Sequence, residues 1–407
     1  MSNTQKKNVP ELRFPGFEGE WEEKQLGDLT TKIGSGKTPK GGSENYTNKG
    51  IPFLRSQNIR NGKLNLNDLV YISKDIDDEM KNSRTYYGDV LLNITGASIG
   101  RTAINSIVET HANLNQHVCI IRLKKEYYYI FFGQYLLSRK GKRKIFLAQS
   151  GGSREGLNFK EIANLKIFTP TIFEEQQKIG KFFSKLDRQI ELEEQKLELL
   201  QQQKKGYMQK IFTQELRFKD ENGEDYPHWE NSKIEKYLKE RNERSDKGQM
   251  LSVTINSGII KFSELDRKDN SSKDKSNYKV VRKNDIAYNS MRMWQGASGK
   301  SNYNGIVSPA YTVLYPTQNT SSLFIGYKFK THRMIHKFKI NSQGLTSDTW
   351  NLKYKQLKNI NIDIPVLEEQ EKIGDFFKKM DILISKQKMK IEILEKEKQS
   401  FLQKMFL

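Results

Sequence analysis

The sequence predicts an α+β protein organised as a pseudo-two-fold repeat: two globular modules separated by two long helices that form an antiparallel coiled coil. Three observations predict it. The segment from Glu174 to Phe212 recurs from Glu368 to Phe406 at a constant offset of 194 residues, without a gap and with about half of its positions identical. A shorter motif, Leu12-Arg13-Phe14 followed by Trp21-Glu22, recurs as Leu216-Arg217-Phe218 followed by Trp229-Glu230, and marks where each half begins. In both long segments apolar residues recur with 4-3 spacing on a chain otherwise dense in Glu, Gln and Lys. That is the period of a coiled coil, not of a helix buried all round.

The elements follow in chain order. Residues 1–165 form the first module, with short strands near Asp89 to Asn93 and Val118 to Leu123 and a helix near Tyr127 to Ser138. A β-rich run from Leu165 ends at Pro170, a residue suited to the start of a helix, and opens the central helical spacer, 166–213. Its seam includes Leu186, Ile190, Glu193, Leu197, Leu200 and Lys204. The second module spans 214–360. The C-terminal helical spacer, 361–407, opens at Pro365 and has Ile384, Gln387, Ile391, Leu394, Lys398 and Phe401 in its seam.

The polar seam residues suggest a register, because an antiparallel pairing in which residue numbers sum to 591 sets Glu193 against Lys398 and Leu197 against Leu394. Chain order then predicts one module at each end of a rod. Its paired stretch, Leu186 to Ile211, is about 39 Å long at 1.5 Å per residue, close to the roughly 34–36 Å of one turn of B-DNA.

Composition narrows the partner. With 69 Lys+Arg against 49 Asp+Glu the formal charge is +20, and 18 Tyr, 21 Phe and 4 Trp accompany it, a balance suited to a polyanion. Only 35% of residues are hydrophobic, and no apolar run approaches the roughly 18 residues that span a bilayer. The N-terminus, Met1-Ser-Asn-Thr-Gln-Lys-Lys, has no apolar signal core, and the single cysteine, Cys119, has no internal disulfide partner. The expected compartment is the cytoplasm.

No catalytic set stands out. Gly34-Ser-Gly-Lys-Thr38 is similar to the end of a phosphate-binding loop, but the required first glycine is Thr31. Ser308-Pro-Ala-Tyr311 lacks both the amide or carboxylate side chain and the second proline of an adenine methyltransferase motif, and reads as a turn. His332 and His336 can share a helix face without a third ligand, and no metal site is expected. His117 and Cys119 read as core of a strand.

The family resemblance rests on the two helix starts and on the first module. The helix starts are Pro170-Thr-Ile-Phe-Glu-Glu-Gln-Gln-Lys-Ile179 and Pro365-Val-Leu-Glu-Glu-Gln-Glu-Lys-Ile373. In the first module the matching stretches are Trp21, Ile33-Gly-Ser-Gly-Lys-Thr-Pro39, Ile51-Pro-Phe-Leu-Arg-Ser-Gln-Asn-Ile59 and Gly88-Asp-Val-Leu91. On these residues the chain resembles the specificity subunits of Type I restriction-modification systems. The second module lacks the Gly-Ser-Gly-Lys-Thr-Pro and Ile-Pro-Phe-Leu-Arg stretches but retains Asn284-Asp285-Ile286.

The resemblance implies a noncatalytic subunit whose two target-recognition domains read an asymmetric, bipartite site in double-stranded DNA. It implies two adenine methyltransferase (modification) subunits and translocating nuclease (restriction) subunits as partners. S-adenosylmethionine, ATP and Mg would be bound by those partners and no cofactor by this chain. The competing reading is a standalone coiled-coil DNA-binding or structural adaptor.

Loops that combine planar hydrogen-bonding groups with Gly or Ser are the candidates for DNA contact, because Arg can pair with guanine, and Asn or Gln with adenine, through two bonds. In the first module these are Arg55, Gln57, Asn58, Arg60, Thr95, Ser98, Arg101, Ser153 and Arg154. In the second they are Asn289, Arg292, Trp294, Gln295, Lys300, Gln343, Thr346 and Ser347. Lys142, Arg143, Lys144, Lys273 and Lys275 read as backbone clamps, which position without specifying.

Overall fold

The structure is a computed structural model and describes residues 8–149, 156–266, 271, 274–347 and 349–407. The chain divides into two compact units, one of Met1–Gln195 with Met389–Leu407 and the other of Lys196–Lys388. Each unit therefore contains the start of one long helix and the end of the other, Phe173–Phe212 and Leu367–Lys404 being the two helices.

In the first unit a four-stranded antiparallel sheet has the order Thr30–Ser35, Val118–Leu123, Val90–Asn93, Thr102–Ile104. Val118-Cys-Ile-Ile121 is buried on both faces, which explains why this strand is a continuous apolar run without alternation. A second, mixed sheet has the order Val70–Ile72, Ile51–Leu54, Ala112–Leu114, Arg84–Thr85. The Tyr129–Leu137 helix buries Phe131, Phe132 and Tyr135. Ser138 ends it and begins the next helix, Arg139–Leu147, by accepting a bond from the Gly141 amide at 3.1 Å.

The second unit repeats the plan. Its four-stranded sheet runs Leu238–Glu240, Tyr311–Pro316, Ile286–Asn289, Ser298–Lys300, the same order and sense as in the first unit. Two helices, Ser322–Lys328 and His332–Ile340, follow. In place of the mixed sheet stand two hairpin-like ribbons, Leu251–Thr254 with Gly258–Lys261 and Lys279–Val281 with Gly305–Val307. This is the region in which the two halves of the sequence diverge.

Smaller devices repeat as well. Gly88 and Asn284 both adopt positive φ, 87° and 73°, immediately before a buried aspartate. Each aspartate then takes a two-pronged arginine, Arg122 on Asp89 at 2.8 and 2.8 Å and Arg241 on Asp285 at 2.7 and 2.9 Å. Asparagine tolerates the left-handed conformation better than other side chains do, which accounts for the exchange.

The start of each long helix is a second repeated node. In the first unit buried Glu175 takes Arg13 at 2.7 and 2.8 Å and the Trp21 indole N–H at 3.3 Å. In the second, buried Glu369 takes Arg217 at 3.1 and 2.6 Å and the Trp229 indole at 3.1 Å. Gln176 and Gln370 donate back to Pro170 and Pro365, at 3.0 and 2.8 Å. The Arg-Phe and Trp motif is thus the receptor for the Glu-Gln helix start.

Within each unit the long helices run antiparallel. In the first, Phe182 meets Phe401 edge-on at 5.1 Å, Phe183 stacks on Phe406 at 5.7 Å, and Asp187 pairs with Lys398 at 2.5 Å. In the second, Phe376 meets Tyr207 at 5.2 Å, Phe377 stacks on Phe212 at 5.8 Å, and Asp381 pairs with Lys204 at 2.6 Å. Every residue here is displaced by 194 from its counterpart.

The register differs from the one expected. Lys398 pairs with Asp187 rather than Glu193, Glu193 pairs with Lys390, and Leu394 packs with Leu186 and Ile190. The slip is about one heptad. A one-heptad slip keeps apolar layers opposed, so the period could not choose between the two. The observed register also brings Asp187 and Asp381, which lie beside the seam, onto Lys398 and Lys204. Of the seam residues, Leu186, Ile190, Gln387 and Leu394 are buried. Glu193, Leu197, Leu200, Lys204, Ile384, Ile391, Lys398 and Phe401 are half-buried.

Candidate nucleic-acid interface

In the first unit the candidate loops meet at one end of the four-stranded sheet. Buried Asn93, at the end of its strand, donates to the Ser56 carbonyl at 3.0 Å and to the Ser98 hydroxyl at 3.1 Å. It thereby pins the 55–60 loop to the 95–101 loop. Gln57 and Arg60 are exposed. Arg55 is half-buried over the Tyr46 ring at 5.4 Å and bonds the Asp68 carbonyl at 3.1 Å.

Asn58 is a correction. It is wholly buried, accepts from the Arg55 amide at 2.8 Å and donates to the Asn65 carbonyl at 2.9 Å, so its amide shapes the turn and faces no base.

Thr95 bonds the His117 Nδ1 at 2.7 Å, and the Leu157 amide donates to the Ile94 carbonyl at 3.0 Å. Arg101 is half-buried, its amide bonded to the Ser98 carbonyl. Ser153 and Arg154 lie outside the described residues. His117 belongs to this cluster rather than to the core that strand alternation suggests. The strand begins one residue later, at Val118, and the histidine sits in the preceding turn.

Lys142 and Arg143 are exposed on the Arg139–Leu147 helix, whereas Lys144 is not free to clamp DNA. Its ammonium bonds the Lys166 carbonyl and sits over the Phe168 ring at 5.7 Å, and burial holds its pKa below the ordinary lysine value. Lys275 sits over the Tyr278 ring at 5.7 Å, and Lys273 lies outside the described residues.

The second unit builds the corresponding site from different residues. Here the Leu352 amide donates to the Ser290 carbonyl at 2.9 Å, the counterpart of Leu157 to Ile94, and joins the 289–297 and 343–351 loops. Trp294 packs edge-on against Trp350 at 5.2 Å and donates to the Met291 carbonyl at 3.0 Å. Asn289 accepts from the Met291 amide at 3.0 Å, and Arg292 is exposed, with one guanidinium nitrogen 3.2 Å from Gln295. Gln343, Thr346 and Ser347 are exposed.

Lys300 is the second correction. It pairs across the sheet with Ile286, at the end of the hairpin away from the 289–297 loop, and its ammonium bonds Asn302 at 2.8 Å. Burial, with Lys378 and Lys283 nearby, lowers its pKa. Spacing along the chain could not show that the strand Ser298–Lys300 carries Lys300 away from the turn that holds Arg292.

Two of the groups weighed for chemistry in the sequence are taken up by the fold. Burial pushes the Cys119 thiol up to about 12, out of nucleophile range. In Gly34-Ser-Gly-Lys-Thr38 the amides of Gly36 and Lys37 bond the carbonyls of Val118 and Leu114, so they are spent on the sheets rather than turned to a phosphate. Among the described residues no group of three His, Cys, Asp or Glu could hold a metal ion, and no helix is long and apolar enough to cross a membrane.

The chain matches the type I restriction modification DNA specificity domain family over residues 18–202 and again over 213–396. It is 28% identical over 231 residues to a putative type I restriction enzyme MjaX specificity subunit of Methanocaldococcus jannaschii, covering 54% of this chain and 53% of that protein. It is 34% identical over 133 residues to the type I restriction enzyme EcoBI specificity subunit of Escherichia coli, covering 32% of this chain and 27% of that protein. The chain thus spans about half, or less, of the length of these curated relatives. In fold it is similar to the S subunit of a type I restriction-modification system from M. genitalium, with a TM-score of 0.60 at 14% identity, covering 98% of this chain and 99% of that one.

Proposed function

Because the chain belongs to the type I restriction modification DNA specificity domain family, we propose that it is the noncatalytic subunit that selects the DNA site of a Type I restriction-modification complex. One observation carries the reading. Two sheets of identical strand order carry an equivalent backbone bond at one end, Leu157 to Ile94 and Leu352 to Ser290, yet the candidate loops at that end present different side chains, Gln57, Arg60 and Thr95 in one unit and Arg292, Trp294 and Gln343 in the other. Equivalent scaffolds with unlike loops read unlike half-sites, so the target is bipartite and asymmetric.

In this reading the long helices and their flanks receive two methyltransferase subunits and, with them, the restriction subunits. Exposed Leu192, Leu199, Ile382, Leu383, Met389 and Ile393 on those helices support that role, since large apolar side chains left in water mark interaction surfaces. S-adenosylmethionine would serve the methyltransferase, and ATP and Mg the translocating nuclease.

The test is methylation mapping in cells expressing the methyltransferase subunit with and without this chain. Adenine methylation at one bipartite motif, dependent on both genes, is the expected result. Unchanged methylation, with the chain purifying alone, would favour the standalone adaptor instead.

A further inference from the structure

In the second unit the Leu345 side chain is one that the fold does not use. Leu345 is 102% exposed, yet the loop around it is heavily built. Backbone bonds in both directions between Gln343 and Asn351, 3.0 and 2.8 Å, close it. Thr349 fastens its inside, its hydroxyl accepting from the Thr346 amide at 3.1 Å and donating to the Thr346 carbonyl at 2.9 Å.

The base of the loop is equally fixed. Gln343 accepts from Gln356 at 3.0 Å, Trp350 packs on Trp294, and the Lys339 ammonium lies 5.7 Å from the Trp350 ring. Gly344 has φ 149°, and a Cβ there would approach the Thr349 carbonyl oxygen to 2.6 Å, so only glycine fits beside the leucine. A single exposed leucine is ordinary in itself, but this one is held by local structure beside the 289–297 loop, to which Trp350 on Trp294 fastens it, and so is placed for the same partner.

We propose that Leu345 is a specificity-determining residue that packs on the C5-methyl group of a thymine in the major groove. This rests on the DNA reading above. Three features select the occupant. The loop is a short turn closed by the single bridge between Gln343 and Asn351, narrow enough to enter a groove about 12 Å wide. The loop's own Thr346 and the Trp294 and Lys339 side chains packed on its Trp350 offer donors and a cation suited to base edges and phosphates. In the major groove the apolar feature that distinguishes one base from the others is the thymine methyl.

The test uses the full-length chain and the duplex site defined by methylation mapping, with each thymine replaced in turn by deoxyuridine, which lacks only that methyl. Fluorescence anisotropy should show wild-type binding weakened about fourfold at one thymine of one half-site, the scale set by one buried methyl. Leu345→Ala should bind the unmodified site as weakly as wild type binds the uridine duplex and lose nothing further on uridine replacement. Leu345→Met should keep the discrimination.

Selective binding by the wild type that is indifferent to every uridine replacement overturns the assignment of Leu345 and leaves the DNA reading standing. A jump in fluorescence of 2-aminopurine beside the contacted step, abolished in Leu345→Ala, would make the leucine an intercalating wedge instead and also overturn it. Absence of any selective binding by the wild type overturns the DNA reading itself, and this inference with it.

Discussion

Lys328 is buried against the rings of Trp229 and Phe212, 4.8 and 5.3 Å from its ammonium, and burial pushes its pKa down to about 8. Asp363 opposes the shift, while Arg333 and Lys337 add to it. Between about pH 8 and the ordinary lysine value near 10.4 the unfolded chain holds a proton that the folded chain has released, so stability rises across that window. Below pH 8 the cost of the buried charge is constant. Lys328→Met is therefore expected to stabilise the fold at pH 7 by about 1–3 kcal/mol, after allowing for the lost cation–π contact, and the gain should vanish toward pH 10. Urea unfolding at both values checks it; a pH-independent difference would sink the argument. The reverse case is Arg217. Removing it leaves the Glu369 carboxylate buried with the Trp229 indole as its remaining side-chain donor, so Arg217→Ala should cost about 3–5 kcal/mol. Arg217→Lys should recover part of that, since it restores the charge but not the two-pronged geometry. Both arginine motifs were legible in the sequence as boundary markers. Their role was not, because their partners lie more than 150 residues away along the chain.

At the scale of elements, the long helices were readable because a seam of period 3.5 repeats over their whole length. Their register was not, since Asp187 with Lys398 and Asp381 with Lys204 are pairs formed outside a strict seam-to-seam match. Two hydroxyl or amide donors accompany this register, Gln134 on Asp187 and Tyr327 on Asp381, both at 2.7 Å. Charge exchange tests it. Asp187→Lys alone and Lys398→Asp alone should each lower stability by about 1–2 kcal/mol, and the double exchange should recover most of the loss. Equal effects from Glu193→Lys paired with Lys398→Glu would instead restore the register first expected. The mixed sheet of the first unit and the ribbons of the second were invisible to pattern reading, because strands of two to four residues carry too few alternations to register.

For the molecule as a whole, the unlike loops predict separable defects. Arg292→Ala should relax the sequence preference at one half-site and leave the other intact, as read by methylation mapping; a uniform loss at every position would mean that Arg292 touches phosphate. Exposed Lys142 and Arg143 should behave in that second way, each charge removed reducing the salt dependence of binding by a slope of about 0.9.

Two module copies, two amphipathic helices and a basic balance of charge were all determined by amino-acid order, because each is a property of composition or of a period along the chain. Which loop residues stand exposed was decided by tertiary structure. Asn58 and Lys144 carry the same chemistry as Gln57 and Lys142, yet one pair is spent on the fold's own carbonyls and amides while the other faces solvent. Sequence specifies which hydrogen-bonding groups exist. The three-dimensional packing determines which of them remain for another molecule, because a buried polar group must be satisfied inside the protein before any is left over.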